Sequence, residues 1–158
     1  MSLRRATTII LVRDGEAGLE VFLVQRHRRS GFLPSAWVFP GGRVDRSDYD
    51  VGTTGGEGLI TRMGLPVDDA RAHLVAGVRE TFEESGVWLG DGGLPEAMRA
   101  PLARGELRLS ELLERHGAAV NLSRVELWSW WITPEAEPRR YDTRFLVARI
   151  AERVLAAT

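Results

Sequence analysis

The chain has 158 residues, 44% of them hydrophobic, with 21 basic against 22 acidic side chains and a formal net charge of −1. That is one domain's length with enough apolar material for a core that needs no staples, and the balanced charge speaks against a broad nucleic-acid footprint. Cysteine is absent and every basic residue is arginine, which excludes disulfides, thiolate metal sites, a cysteine nucleophile, and Schiff-base or Walker lysine chemistry.

The opening MSLRRATTIILVRDG carries an apolar stretch too short for a secretory leader. No run approaches the roughly 18 apolar residues of a membrane span, so a cytoplasmic protein without membrane or nucleic-acid partners is expected. Ala6 to Val12 is β-branched and apolar and stops at Arg13-Asp14-Gly15, the mark of a strand and turn. Leu19 to Gln25 reads as a second strand, joined to the first as a hairpin. A basic loop, Arg26-His27-Arg28-Arg29-Ser30, leads to Trp37-Val38-Phe39 and the turn Pro40-Gly41-Gly42. Val51 to Gly64 is rich in Gly and Thr and is expected to be a flexible excursion. Pro66-Val67-Asp68-Asp69 opens the clearest helix, which Gly86 ends. A second helical stretch is expected from about Pro95 to Arg115. Val125 to Thr133 and Thr143 to Ile150 read as strands around an arginine-containing loop, Pro134 to Asp142. Short strands mixed with two or three helices predict an α+β fold, a mixed α/β/α sandwich.

The central helix carries the chemistry. At about 100° per residue, Leu74, Val75, Val78 and Phe82 share one arc while Glu80, Glu83 and Glu84 share the opposite one. Three carboxylates side by side repel one another, and they stand in the last turns, where the helix dipole disfavours anions. A sequence built for stability alone would place cations there, so a bound cation is expected, and hard divalent metals favour clustered carboxylate oxygens. Arg79, four residues before Glu83, is placed to orient it. The face is otherwise expected to be turned towards solvent.

The run Arg79-Glu80-x-x-Glu83-Glu84-x-Gly86-Val87, led by Trp37-Val38-Phe39-Pro40-Gly41-Gly42, resembles the Nudix box, G-x5-E-x7-R-E-U-x-E-E-x-G-U with U aliphatic. Two departures stand out. Gly42 lies 37 positions before Arg79, where the compact box has 14, an insertion of 23 residues placed at about 46–66. Eight positions before Arg79 stands Arg71 instead of the first glutamate, with Asp45, Asp48, Asp68 and Asp69 all open as its replacement; Thr81 holds an aliphatic position. The insertion, and the Trp131-Ile132-Thr133-Pro134 to Phe145 region, resemble the branch that includes peroxisomal coenzyme A diphosphatases. That branch's upstream coenzyme A signature is not found in Gln25-Arg26-His27-Arg28.

The resemblance implies a single Nudix-like domain with a mixed central sheet. Its expected activity is Mg2+- or Mn2+-dependent hydrolysis of the pyrophosphate in a nucleoside diphosphate linked to another moiety: coenzyme A, a dinucleotide or a nucleotide sugar. By the same resemblance Glu80, Glu83, Glu84 and the Gly41 carbonyl hold the metal, Glu80 or Glu84 takes the water proton, and Arg79 holds a glutamate in place. Arg26, Arg28, Gly42 and Arg140 are candidate substrate contacts, with Arg29, Arg139 and Tyr141 near them. A Nudix-like sensor that binds without turnover is the alternative. Trp128, Trp130 and Trp131 are expected in the core or an interface, and His27, His73 and His116 as ordinary residues. Only Ala151 to Thr158 follow the last strand, and the edge left open favours a homodimer.

Overall fold

The computed structural model describes residues 3–27 and 34–151. Arg28 and Arg29 therefore lie outside the described residues. In chain order the elements are β1 (Arg4–Gly15), β2 (Gly18–Val21), β3 (Val24–Gln25), β4 (Trp37–Val38), β5 (Gly41–Arg43), β6 (Thr53–Thr54), α1 (Glu57–Arg62), α2 (Val67–Ser85), β7 (Gly90–Asp91), α3 (Arg99–Ala103), α4 (Leu109–His116), β8 (Ala119–Asn121), β9 (Glu126–Ile132) and β10 (Tyr141–Arg149).

The main sheet is mixed and runs β2-β1-β10-β9, with β5 also on β1. β1 and β10 are parallel from Arg4↔Tyr141 to Val12↔Arg149, and the remaining pairings are antiparallel. One edge of β1 is shared in tandem: β2 takes Val12 to Gly15, and β5 takes Ala6 to Thr8. This is why the strand expected over Leu19 to Gln25 breaks. After Phe22 donates to the Leu11 carbonyl the chain has to leave, and β3 pairs with β4 in a separate ribbon.

Helix α2 ends on Gly86 in the left-handed region (φ 78°), whose N–H returns to Phe82 O at 2.9 Å. Its packing is closer than an amphipathic stripe implies. Residues 72–79 are all buried, and a Cβ on Gly77 would come within 2.8 Å of the Thr7 methyl. The absent side chain lets the helix lie directly on β1, burying Leu74, Val75, Val78 and Phe82 with Ile9, Leu11 and Leu146. Each such side chain contributes about 1.5–3 kcal/mol. His73, in the same layer, has Nδ1 3.1 Å from Thr7 Oγ1 and 3.2 Å from Ala6 O.

Two other expectations are corrected, and a third, the tryptophans in the core or an interface, loses its core half. The Val51–Gly64 excursion is folded: Val51, Leu59, Ile60 and Met63 are core residues, so burial of its few apolar side chains outweighs its Gly and Thr content. β6 of that segment joins β8 and β7 in a three-stranded sheet. The second helical stretch breaks into a 3-10 turn (Glu96–Met98), α3 and α4, separated by Gly105 with φ 70°. The tryptophans are not core: Trp128, Trp130 and Trp131 are 70%, 54% and 63% exposed. They lie on β9, at one end of the sheet order, which has no strand beyond it among the described residues. Trp130 covers the buried Arg144, whose guanidinium lies 5.1 Å from its ring centre. Among the described residues no helix is long and apolar enough to cross a membrane.

Candidate active site

Strand β5 runs beside the second half of α2 and meets it with two glycines. A Cβ on Gly42 would fall 2.2 Å from Glu80 Oε1, and one on Gly41 would strike Thr7 O at 2.4 Å. Gly42 leaves the space that the Glu80 carboxylate fills, and Gly41 lets β5 lie close on β1. The Gly41 N–H donates to Glu84 Oε2 at 3.1 Å.

Arg79 is 6% exposed and organises the cluster from beneath. Its Nη1 donates to Glu80 Oε1 at 3.0 Å and Glu83 Oε1 at 3.3 Å, and its Nη2 donates to the Arg43 carbonyl at 3.0 Å. Asp48, 1% exposed, accepts from Arg79 through both oxygens, Nε to Oδ1 at 2.8 Å and Nη2 to Oδ2 at 3.0 Å. Asp45 stands at 3.6 Å. Asp48 also accepts the Asp45 N–H at 2.8 Å and so closes the 3-10 turn Arg46–Asp50.

The buried carboxylate that sequence reasoning left open is thus Asp48. The signal was present in forward counting: Asp48 lies six positions after Gly42, the Gly-x5-acid spacing of the compact box. The extra residues follow Asp48 and form β6 and α1.

The expected solvent-facing acidic surface is corrected. The Glu80 and Glu83 side chains are only 16% and 11% exposed, because β5 and the Arg46–Asp50 turn close over that face. Glu84 stands at the rim. Burial raises the Glu80 carboxyl above its usual range against the pull of Arg79. Burial likewise pushes Glu83 up to about 7. Glu84 also reaches about 7: burial of its carboxylate, with repulsion from Glu80 and Glu83 added, outweighs the Gly41 N–H bond and the charge of Arg26, which both pull it down. Burial works against the charge on Arg79, but the bonds and charge of Asp48, with Glu80 and Glu83, outweigh it and raise the guanidinium further.

Among the described residues no group of three or more acidic, histidine or cysteine side chains converges so as to hold a metal ion as it stands; Glu80 and Glu83 instead share Arg79. The donor set still fits a hard divalent cation. Of three adjacent carboxylates, Glu80 and Glu83 are nearly buried and share one guanidinium that is also committed to Asp48, while Glu84 bonds only the Gly41 N–H among the described residues, which leaves negative charge in excess.

Of the other candidates, Arg26 is close enough to act on the Glu84 charge. Arg140 is not brought to the cluster. Its Nε binds Thr133 O at 3.0 Å and its carbonyl accepts the Arg4 N–H. That places it at the end of the sheet where α2 begins, since neighbouring Arg5 binds Asp69. The helix rises about 20 Å from there to Glu83. His73 is fully buried. A cavity of about 550 Å3 opens past the Gly86 turn between Val12, Trp88, Leu89, Val147 and Ile150, and none of the three glutamates lines it.

The chain matches no family model. A crystal structure of a NUDIX hydrolase from Alicyclobacillus acidocaldarius superposes with TM-score 0.78 at 31% identity, covering 96% of this chain and 71% of that one. The acyl-coenzyme A diphosphatase NUDT19 of Gallus gallus is 29% identical over 190 residues, covering 88% of this chain and 50% of that protein. The putative nudix hydrolase 7 of Caenorhabditis elegans is 29% identical over 152 residues, covering 91% of this chain and 43% of that protein. The chain spans about half the length of these curated relatives. With the Gly-Gly strand set against an Arg-Glu-x-x-Glu-Glu helix and this likeness over nearly the whole chain, the chain belongs to the Nudix hydrolase family.

Proposed function

We propose that this protein hydrolyses the pyrophosphate bond of a nucleoside diphosphate joined to another moiety, with coenzyme A and its acyl thioesters as the substrate class and Mg2+ or Mn2+ as cofactor. The observation that carries the reading is the gathering of Glu80, Glu83 and Glu84 against Gly41-Gly42 with Arg79 bonded to two of them. The name of the chicken relative supports the substrate class.

Glu80, Glu83 and Glu84, with the Gly41 carbonyl, would hold the metal, which when bound supplies charge neutralisation on the phosphates and a more acidic water. The residues of the chain do the rest. Arg79 holds Glu80 and Glu83 at fixed positions, and Asp48 holds Arg79. Glu84, which makes no bond to Arg79 among the described residues and stands at the rim, receives the proton of the attacking water. Arg26 meets a phosphate by charge-assisted hydrogen bonds. Gly42 leaves room for Glu80, and Arg140 is placed to meet only a distant part of an extended substrate.

The test is product formation from coenzyme A, an acyl-coenzyme A, ADP-ribose, NADH and diadenosine polyphosphates with Mg2+ or Mn2+, by parent and Glu83→Gln. The reading expects two phosphomonoester products from a coenzyme A compound and at least a roughly 100-fold loss in the variant, since partners one step further out already matter 10–100-fold. Binding of one of these compounds without products would instead establish a sensor.

A further inference from the structure

The geometry points to Arg99 as a positioning residue for the carboxylate cluster, acting through the backbone of Glu83. This inference rests on the metal-dependent reading above. Helix α2 ends with three glutamates in its last two turns and no basic residue in the last turn. Its final carbonyls lack intrahelical partners, and the negative end of its dipole adds to the carboxylate repulsion. A cation is needed at that end, and α2 does not supply one.

Arg99, the first residue of α3, does. Its Nε and Nη2 donate to the Glu83 carbonyl at 3.3 and 3.2 Å, while Nη1 donates to Glu96 Oε1 at 2.5 Å. The Glu96–Arg99 pair is seated on the helix terminus: a Cβ on Gly86 would meet Glu96 Oε2 at 2.7 Å and Arg99 Cδ at 3.4 Å. α3 itself is anchored by Leu102, which is 5% exposed and part of the core. The guanidinium thus reaches the helix end from outside the helix, with Glu96 beside it. The bonded carbonyl belongs to the middle member of the carboxylate trio, whose side chain points at Arg79. Glu83 is therefore fixed twice, its carboxylate by Arg79 and its peptide by Arg99.

The residue touches no carboxylate of the cluster, so its effect is on where Glu83 sits and on how much negative charge the helix end tolerates. Both act on cation affinity more than on folding. Helix-terminal cations matter little to a fold held by residues 72–79, and much to a carboxylate that has to meet an ion within a few tenths of an ångström.

The test is the Mn2+ dissociation constant, measured by calorimetry on folded parent, Arg99→Ala, Arg99→Lys and Glu83→Gln, together with hydrogen exchange at the Ser85–Val87 amides. Arg99→Ala is expected to weaken Mn2+ about tenfold and speed exchange at those amides, with a thermal midpoint of the metal-free protein within a few degrees of the parent. Arg99→Lys, which keeps the charge but not the two-pronged contact, is expected to recover part of that affinity. Should the alanine variant fail to fold, the lysine variant carries the test with an expected loss of about threefold. Mn2+ affinity equal to the parent's in either folded variant overturns the role of Arg99 alone. Absence of Mn2+ binding in the parent, or equal binding by Glu83→Gln, overturns the metal reading and this inference with it.

Discussion

Asp48 grips Arg79 with both carboxylate oxygens, at 2.8 and 3.0 Å, and neither partner is more than 7% exposed at its side chain. The pair joins the turn after β5 to the middle of α2, and through Arg79 it fixes Glu80 and Glu83. A buried pair of this kind is far more costly to break than to omit. Asp48→Ala is expected to destabilise the fold by about 3–5 kcal/mol in urea unfolding. Asp48→Asn keeps an acceptor and the shape, so it should fold while losing about 10–100-fold in turnover. Full activity in Asp48→Asn would show that Arg79 needs only a hydrogen-bond acceptor there.

The two glycines of β5 should respond differently. A Cβ on Gly42 meets the far end of the flexible Glu80 side chain, whereas one on Gly41 meets Thr7 O and Thr8 Cα, which are backbone. Gly42→Ala is expected to fold with nearly parental stability and lose most of its turnover, because Glu80 is displaced. Gly41→Ala is expected to lower stability by about 1–3 kcal/mol by prising β5 from β1. Thermal melts and turnover on both variants check the contrast; equal loss of stability in the two would refute it.

His73 makes stability pH-dependent. Burial is the chief cause that drives its imidazole down from 6.5 to about 4. The unfolded chain takes up a proton below about 6.5 that the native state refuses until about 4, so acid favours unfolding across that window, by up to about 3 kcal/mol. The raised carboxyls of Glu80, Glu83 and Glu84 act with the opposite sign over the same window, so the His73 share is read as a difference: lowering the pH from 7 to 4.5 should shift the urea midpoint of the parent downwards relative to that of His73→Gln. Equal slopes would assign the pH dependence to other groups.

Much of the fold and the central motif was legible, and the reasons are local. Pro66 and Gly86 bracket α2 to within a residue, and β1 announces itself by a β-branched, apolar run that stops at Arg13-Asp14-Gly15. The Arg46–Leu65 region was not, because Val51, Leu59, Ile60 and Met63 are spread thinly among Gly and Thr, and their burial is decided by the surface they meet rather than by a period. β6, β7 and β8 are two or three residues long, too short for any alternation to register. Counting back from Arg79 crosses the insertion and lands on Arg71, whereas counting forward from Gly42 does not cross it and lands on Asp48. The shielding of Glu80 and Glu83 depends on β5 and the turn after it, which are brought there by pairing with β1 and cannot be read from the helix itself.

A cation bound at the glutamates should also stabilise the fold. Mn2+ at about 100 times its dissociation constant adds about 2.7 kcal/mol by mass action, which for a chain of this size raises the thermal midpoint by roughly 5–10 °C. Mg2+ should act likewise, and Glu83→Gln should abolish most of the rise. An equal rise in parent and variant would place the bound ion elsewhere.

Anomalous diffraction from Mn2+-soaked crystals at neutral pH would show whether divalent ions gather Glu80, Glu83 and Glu84. A manganese peak bonded to oxygens of at least two of the three glutamates is expected. Well-ordered carboxylates that stay on Arg79 and Gly41 with no peak beside them, in crystals saturated with Mn2+, would contradict it.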